Sequence, residues 1–220
     1  MMSSSKVSTF LSARLNALRS YHQKQKNIWD IGCDHGLLGL SFRSEEEVES
    51  IHLVDPSAPV ISELQKRLKD SYITKGKLFI HHEHGQKLII ETDSNCIFIA
   101  GMGGKEIGEI IIHLLPSLDS TSRIVISPHR KILELRALLG KLPLALVQEE
   151  LVFEDGQFYQ ILCLMKGEGP RVHPYGRDIW KKEVGKHYRD HQMKHFGVHE
   201  DLASKGYMEY LADPKLLKST

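Results

Sequence analysis

Val7, Phe10, Leu11, Leu15 and Leu18 recur at helical spacing, so residues 6–20 read as an amphipathic lead-in helix with Arg14 and Arg19 on its polar side. Beyond it the period changes, and short apolar runs alternate with helical patterns. NIWDIG, SIHLVD, GKLFIHHE, CIFIAG and SRIVISP read as strands. GLLGLSF, APVISELQKRLKD, GKEIGEIIIHLLPSL and RKILELRALLGKL read as helices, the second with Val60, Ile61, Leu64 and Leu68 on one face. Strands that alternate with helices predict βαβ units and a mostly parallel sheet. CIFIAG and RIVIS are continuously apolar, which suits central strands covered on both faces.

Then the pattern breaks. LALVQEELVFEDGQFYQILCLMKG holds two extended runs around Glu154-Asp155-Gly156, and Asp-Gly is a strong hairpin turn. The expected fold is α/β and Rossmann-like: a mostly parallel, seven-stranded sheet that ends in an antiparallel hairpin. Gly167 to Pro174 holds two glycines and two prolines and reads as a linker. The stretch after it, basic and histidine-rich up to Phe196, predicts two helices with a break near Gly197 or Gly206. The chain thus divides into a helical lead-in (1–26), a Rossmann-like body (27–166) and a linker with a helical extension (167–220).

In open α/β sheets ligands lie beyond the carboxyl ends of the strands, where DIGCDHG falls. Gly32 allows a tight turn and leaves room for a ligand, and Gly36 lets the next helix approach. The spacing is D-x-G-x-x-x-G, which differs from the G-x-G-x-x-G that cradles a pyrophosphate. Asp30 and Asp34 would repel a diphosphate but suit an ammonium or a sulfonium. S-adenosyl-L-methionine carries both groups and no phosphate. Asp55 ends the second strand, where a carboxylate can take both ribose hydroxyls. Each acid also has an ordinary use as a helix cap.

IAGMGG follows the fourth strand, and Ala100 to Gly104 offer backbone groups where cofactor and substrate would meet. SPHR ends the fifth, with Ser127, His129 and Arg130 as donors on the same rim and Pro128 stiffening the loop.

Composition narrows the classes. Lys and Arg total 29 and Asp and Glu 28, a net charge of +1 that argues against a histone-like binder but leaves room for a local basic patch. The three cysteines lie far apart with no CxxC pair, so neither a disulfide framework nor a thiolate zinc site is expected. Cys96 and Cys163 sit in apolar runs and read as core. The first residues lack a signal-like apolar stretch, and no apolar run reaches the ~18 residues of a membrane span, so a cytoplasmic protein without membrane contact is expected.

With these residues in hand the chain resembles the bacterial tRNA (adenine(22)-N1)-methyltransferase family, over roughly residues 6–165. DIGCDHGLL matches that family's DIGSDHAYL-like motif, IAGMGG matches unchanged, and Glu154, Asp155, Gly156 and Tyr159 match its EDG-x-x-Y hairpin. The resemblance implies a class I methyltransferase fold, S-adenosyl-L-methionine as cofactor, and methyl transfer to N1 of an adenine in tRNA. Asp30, Gly32, Asp34, His35, Gly36, Asp55, Ala100 and Gly101 are the candidate cofactor contacts. Glu83 and His84 join them, standing where the family's GDGL loop places an aspartate near the cofactor adenine. Gly101, Met102, Gly103, Ser127 and His129 are the candidate catalytic rim, with SPH in place of the family's QPN-like sequence. Arg14, Arg19, Lys24 and Lys26, together with Lys181, Lys182, Lys186 and Arg189, are the candidate phosphate contacts to tRNA. The C-terminal part is shorter than the helical extension common in the family.

The changed EHGQ and SPH loops keep a non-catalytic RNA-binding module in contention. A metal-dependent hydrolase is a third reading, because HHEH at 81–84 puts His82 and His84 on one side of a strand. No HExxH spacing or second cluster supports it, and no metal is expected. The acidic first turn and the closing hairpin disfavour a nicotinamide-dependent dehydrogenase.

Overall fold

A computed structural model describes residues 11–69, 77–196, 202–213 and 216. Val7, Phe10 and Gly197 lie outside the described residues, as does the first part of the expected lead-in helix. The strands are β1 (Asn27–Ile31), β2 (Ser50–Asp55), β3 (Leu78–His82), β4 (Asn95–Ala100), β5 (Arg123–Ser127), β6 (Leu144–Glu154) and β7 (Gln157–Lys166). They form one seven-stranded sheet in the order β3-β2-β1-β4-β5-β7-β6. The first five pair in parallel, while β7 runs antiparallel to both β5 and β6. The order reverses between β1 and β4, so the crevice lies at their carboxyl ends. Asp155 and Gly156, both at positive φ, make the tight turn of the closing hairpin.

Alternate residues of the central strands feed two separate cores. Ile97 and Ile99 of β4, with Ile124 and Ile126 of β5, pack under α4 (Gly104–Leu114) and α5 (Ile132–Leu139). Cys96 and Phe98 face the other way, with Val125 and Cys163, toward α1 (Ala13–Arg19), α2 (Leu37–Leu40) and α3 (Ala58–Lys69). Burial on both faces explains why these strands carry no alternation of polar and apolar positions.

Two helices are shorter than the apolar pattern suggests. Residues 11 and 12 stand outside α1, where the Ser12 hydroxyl caps the helix by accepting from the Leu15 amide at 3.3 Å. Among the described residues the helix starts at Ala13, and residues 6–10 of the expected helix lie outside them. GLLGLSF gives a single turn, α2, because the Ser41 hydroxyl bonds back to the Leu38 carbonyl at 2.6 Å and Arg19 draws on Ser41 from outside the helix.

At the C-terminal end α6 (Glu183–Phe196) and α7 (Leu202–Ala212) pack on the hairpin through a third cluster of Leu151, Ile179, Trp180, Tyr188, Tyr207 and Leu211. Gly206 lies inside α7, so the alternative break at Gly206 is corrected.

Candidate active site

Asp30 sits at the end of β1 with its carboxylate turned under the following loop, where Oδ2 accepts from the Gly39 amide at 2.8 Å. Burial raises its pKa to about 7, opposed by the Gly39 amide and assisted by the nearby Asp55 carboxylate. The loop from Gly32 to Gly36 then folds over β2. The Gly32 and Cys33 amides both donate to the Val54 carbonyl, at 2.8 and 3.0 Å. Gly32 sits at φ +73°, a left-handed backbone that strains any L side chain, and the space beside it is filled by the flexible end of Met102, so glycine suits this position. Asp55, at the end of β2, holds the loop from the other side: Oδ2 accepts from the Asp34 amide at 3.2 Å, and Oδ1 from Ser57 at 2.9 Å. Asp55 thus does help start α3, and its carboxylate still lines the space beyond the strands.

The loops after β4 and β5 are zipped together. Gly101 donates to the Ser127 carbonyl at 3.3 Å, His129 to Met102 at 3.0 Å and Gly104 to Arg130 at 3.0 Å, so the two rims are one surface. Gly104 permits this, since a Cβ there would lie 2.5 Å from the Lys131 carbonyl oxygen.

A cavity of about 490 Å³ opens between these loops. Of the expected site residues, Asp30, Gly32, Asp34, His35, Asp55, Ala100, Gly101, Met102 and His129 line it. Gly36, Glu83, His84, Gly103 and Ser127 stand outside that lining. Gly36 starts α2, and Glu83 accepts from the His84 amide just before a short 3₁₀ turn. Ser127 is fully buried, and its hydroxyl has no hydrogen-bond partner among the described residues. The cavity also takes residues that the sequence did not single out for it, among them Pro56, Glu106 and Arg14. Only Glu106 carried a local signal, as an acid in the first turn of α4 beside the glycine rim.

Arg14, a candidate phosphate contact, donates from its backbone amide to Glu154 Oε1 at 2.9 Å, its guanidinium covers the Tyr159 ring at 4.6 Å, and Nη1 reaches His129 Nε2 at 2.7 Å. Arg19 pairs with Glu45 and lies over the Phe42 ring. Arg189 donates from Nε to the Leu211 carbonyl at 2.6 Å, joining α6 to α7. Lys26, Lys181 and Lys186 are in exposed pairs with Glu49, Asp178 and Glu183, which a phosphate can replace at little cost. Lys24 and Lys182 are exposed.

The histidine-rich stretch at the end of β3 is engaged elsewhere. His81 Nε2 contacts His52 Nδ1 at 2.9 Å, and His82 Nε2 donates to the Pro56 carbonyl at 3.1 Å. Among the described residues no group of three or more His, Cys, Asp or Glu is placed to hold a metal ion. Among them, too, no helix is long and apolar enough to cross a membrane.

A seven-stranded sheet with this reversal, closing hairpin and acid-lined cavity is the architecture of a methyltransferase domain. The family model described as a methyltransferase domain matches residues 11–162, and the chain belongs to that family. Within it, the tRNA (adenine(22)-N(1))-methyltransferase of Bacillus subtilis (strain 168) is 26% identical over 162 residues, which cover 72% of this chain and 66% of that protein. The match therefore spans just under two thirds of that relative's length. Two solved structures share the fold. TrmK of M. capricolum, in complex with its natural cofactor product S-adenosyl-homocysteine, aligns with a TM-score of 0.73 and 18% identity over 90% of this chain and 92% of that one. Streptococcus pneumoniae Sp1610, in complex with S-adenosyl-L-methionine, aligns with a TM-score of 0.76 and 23% identity over 92% and 98%.

Proposed function

We propose that the protein transfers a methyl group from S-adenosyl-L-methionine to N1 of an adenine in tRNA, in the cytoplasm. The observation that carries this reading is the cavity at the carboxyl ends of β1, β2 and β4, lined by the carboxylates of Asp30, Asp34 and Asp55 and bordered by the rim of Gly101 and His129. Its volume is in the range of small-ligand sites, about 300–1,000 Å³. The carboxylates favour a cationic ligand and disfavour a phosphate, and Gly101 has no atom within 4 Å of where a Cβ would stand, which leaves space for a ligand beside the backbone. The B. subtilis relative, a tRNA (adenine(22)-N(1))-methyltransferase, supports the choice of tRNA and of N1.

When bound, the cofactor supplies a methyl group on a sulfonium, which the lone pair of adenine N1 takes in an in-line displacement. No strong base is required, so the protein's part is positioning. Asp55 is suited to the ribose hydroxyls, and Asp30 and Asp34 to the positive charges. The Gly101–Gly104 backbone and His129 form the wall against which an extruded base would rest. Exposed Lys24, Lys26, Lys181, Lys182 and Lys186 are the candidate contacts to tRNA phosphates.

The test is calorimetric titration with S-adenosyl-L-methionine and with S-adenosyl-homocysteine, followed by methylation of unmodified tRNA and mapping of the modified base. Saturable binding and 1-methyladenosine in the tRNA are the expected results. No heat with either ligand would overturn the reading and favour the non-catalytic module. Binding with methyl transfer to another acceptor would keep the cofactor and reject the substrate.

A further inference from the structure

His129 and Arg14 meet at the mouth of the cavity, and both line it. We propose that Arg14 is a positioning residue that holds His129 as a neutral imidazole of one tautomer on the substrate side of the site, and that methyl transfer requires this state. The inference rests on the methyltransferase reading above and adds to it a residue pair with an assigned protonation state.

The geometry dictates the tautomer. A guanidinium has donors and no acceptor, so at 2.7 Å from Arg14 Nη1 the His129 Nε2 must present its lone pair, and the ring proton resides on Nδ1. A second proton on the ring would set two donors and two cations against each other. Arg14 is not free to retreat. Its amide is bonded to Glu154 on the hairpin, and its guanidinium is stacked on Tyr159, whose ring in turn lies 5.7 Å from that of His129. His129 is fixed from its own side by the bond from its amide to the Met102 carbonyl. Helix α1, the hairpin tip and the two glycine-loop rims therefore converge on one imidazole.

The charged and titratable groups around His129 are Arg14 from α1, Glu154 and Tyr159 from the hairpin, and Arg130 from its own loop. Glu106 of α4 and Asp30, Asp34, His35 and Asp55 share the cavity. The His129 ring remains exposed at the cavity mouth, and its partial desolvation, and after it the Arg14 charge, lower its pKa below the ordinary histidine value. The chemistry calls for this direction. Methylation at N1 places a positive charge on the base ring as the transition state develops, and a cationic His129 would oppose it. The positive charge of Arg14 is itself faced by the Tyr159 ring, which attracts it.

The experiment follows His129 by NMR titration of the ligand-free protein, and kcat for tRNA methylation against pH, in the wild type, R14M, R14K and H129N. In R14M the His129 titration should move up, and the acid limb of kcat with it, giving a several-fold larger loss near pH 6 than near pH 8. R14K, which keeps the charge, should hold both near their wild-type positions. H129N should remove that limb. An unchanged His129 titration in R14M, or a kcat that falls equally at every pH, would assign Arg14 a purely structural role and overturn the proposal. The NMR measurement uses no substrate, so a chain that leaves tRNA unmethylated defeats the proposed function separately from the Arg14–His129 pairing.

Discussion

The guanidinium of Arg136 on α5 donates to the Glu149 carboxylate of β6 at 2.7 Å, with both side chains wholly out of water. Arg136 also donates to Gln160 at 2.7 Å and to the His173 carbonyl at 3.1 Å, while Gln160 donates to the Tyr188 hydroxyl at 3.0 Å. The second Glu149 oxygen accepts from the amides of Arg177 and Asp178. One ion pair thus ties the Rossmann-like body to the segment that carries α6 and α7. Removing one member leaves the other charged, buried and unpaired, so E149Q should lose about 3–5 kcal/mol of stability. Urea unfolding monitored by far-UV circular dichroism measures this directly.

Trp180 is completely buried between the hairpin and the C-terminal helices, stacked on Tyr188 with ring centroids 5.4 Å apart. W180A should cost about 3–5 kcal/mol through lost burial and the cavity left behind. A chain ended at Lys166 would expose Leu151, Gln160 and Arg136 together, and should melt well below the intact protein or fail to fold. Calorimetric scans of both variants test whether residues 167–220 are a separable extension.

Asp30 gives a pH signature. Its folded pKa of about 7 lies above that of an unfolded aspartate, near 3.9, so the native state binds the extra proton between these values. Stability from this group is full below about pH 4 and declines as pH rises toward 7. D30N, neutral at every pH, should melt higher than wild type at pH 8 and show no advantage at pH 4. A bound cation would favour the ionised carboxylate, so ligand binding near neutral pH should release protons. Titrations in buffers of different ionisation enthalpy would count them, and D30N should remove most of that release.

Two substitutions separate cofactor contact from loop architecture. D55N keeps an acceptor for Ser57 but loses the charge, and should weaken S-adenosyl-L-methionine binding about 10- to 100-fold, the worth of one or two charge-assisted hydrogen bonds. G101A adds one methyl where φ is +80° and no neighbour lies within 4 Å. It should fold with a loss of about 1–2 kcal/mol for the left-handed backbone, and bind the ligand more weakly because the methyl enters the cavity. Calorimetry alongside thermal melts distinguishes the two effects.

What the sequence by itself determined is what local chemistry encodes. The continuous apolar runs of β4 and β5, the Asp155-Gly156 turn and the acid-and-glycine turn after β1 each act within a few residues, so their strands, hairpin and loop were legible without coordinates. Helix lengths were less so. Among the described residues α1 begins at Ala13, capped by Ser12, and α2 ends after one turn, because side-chain hydrogen bonds outweigh the apolar period. Only the tertiary structure decided the partners of the charged groups. Arg14 and His129 lie 115 residues apart, and nothing near either position signals the other. Their bond exists because α1 packs on a hairpin that runs antiparallel to β5, and that hairpin lifts Tyr159 and Glu154 over the rim where β5 ends. The same holds for Arg136, whose place on α5 reads as an ordinary polar helix position until β6, β7 and α6 close around it. A side chain's periodicity is set by its own backbone, but its charge is stabilised by whatever the folded chain brings within a few ångströms.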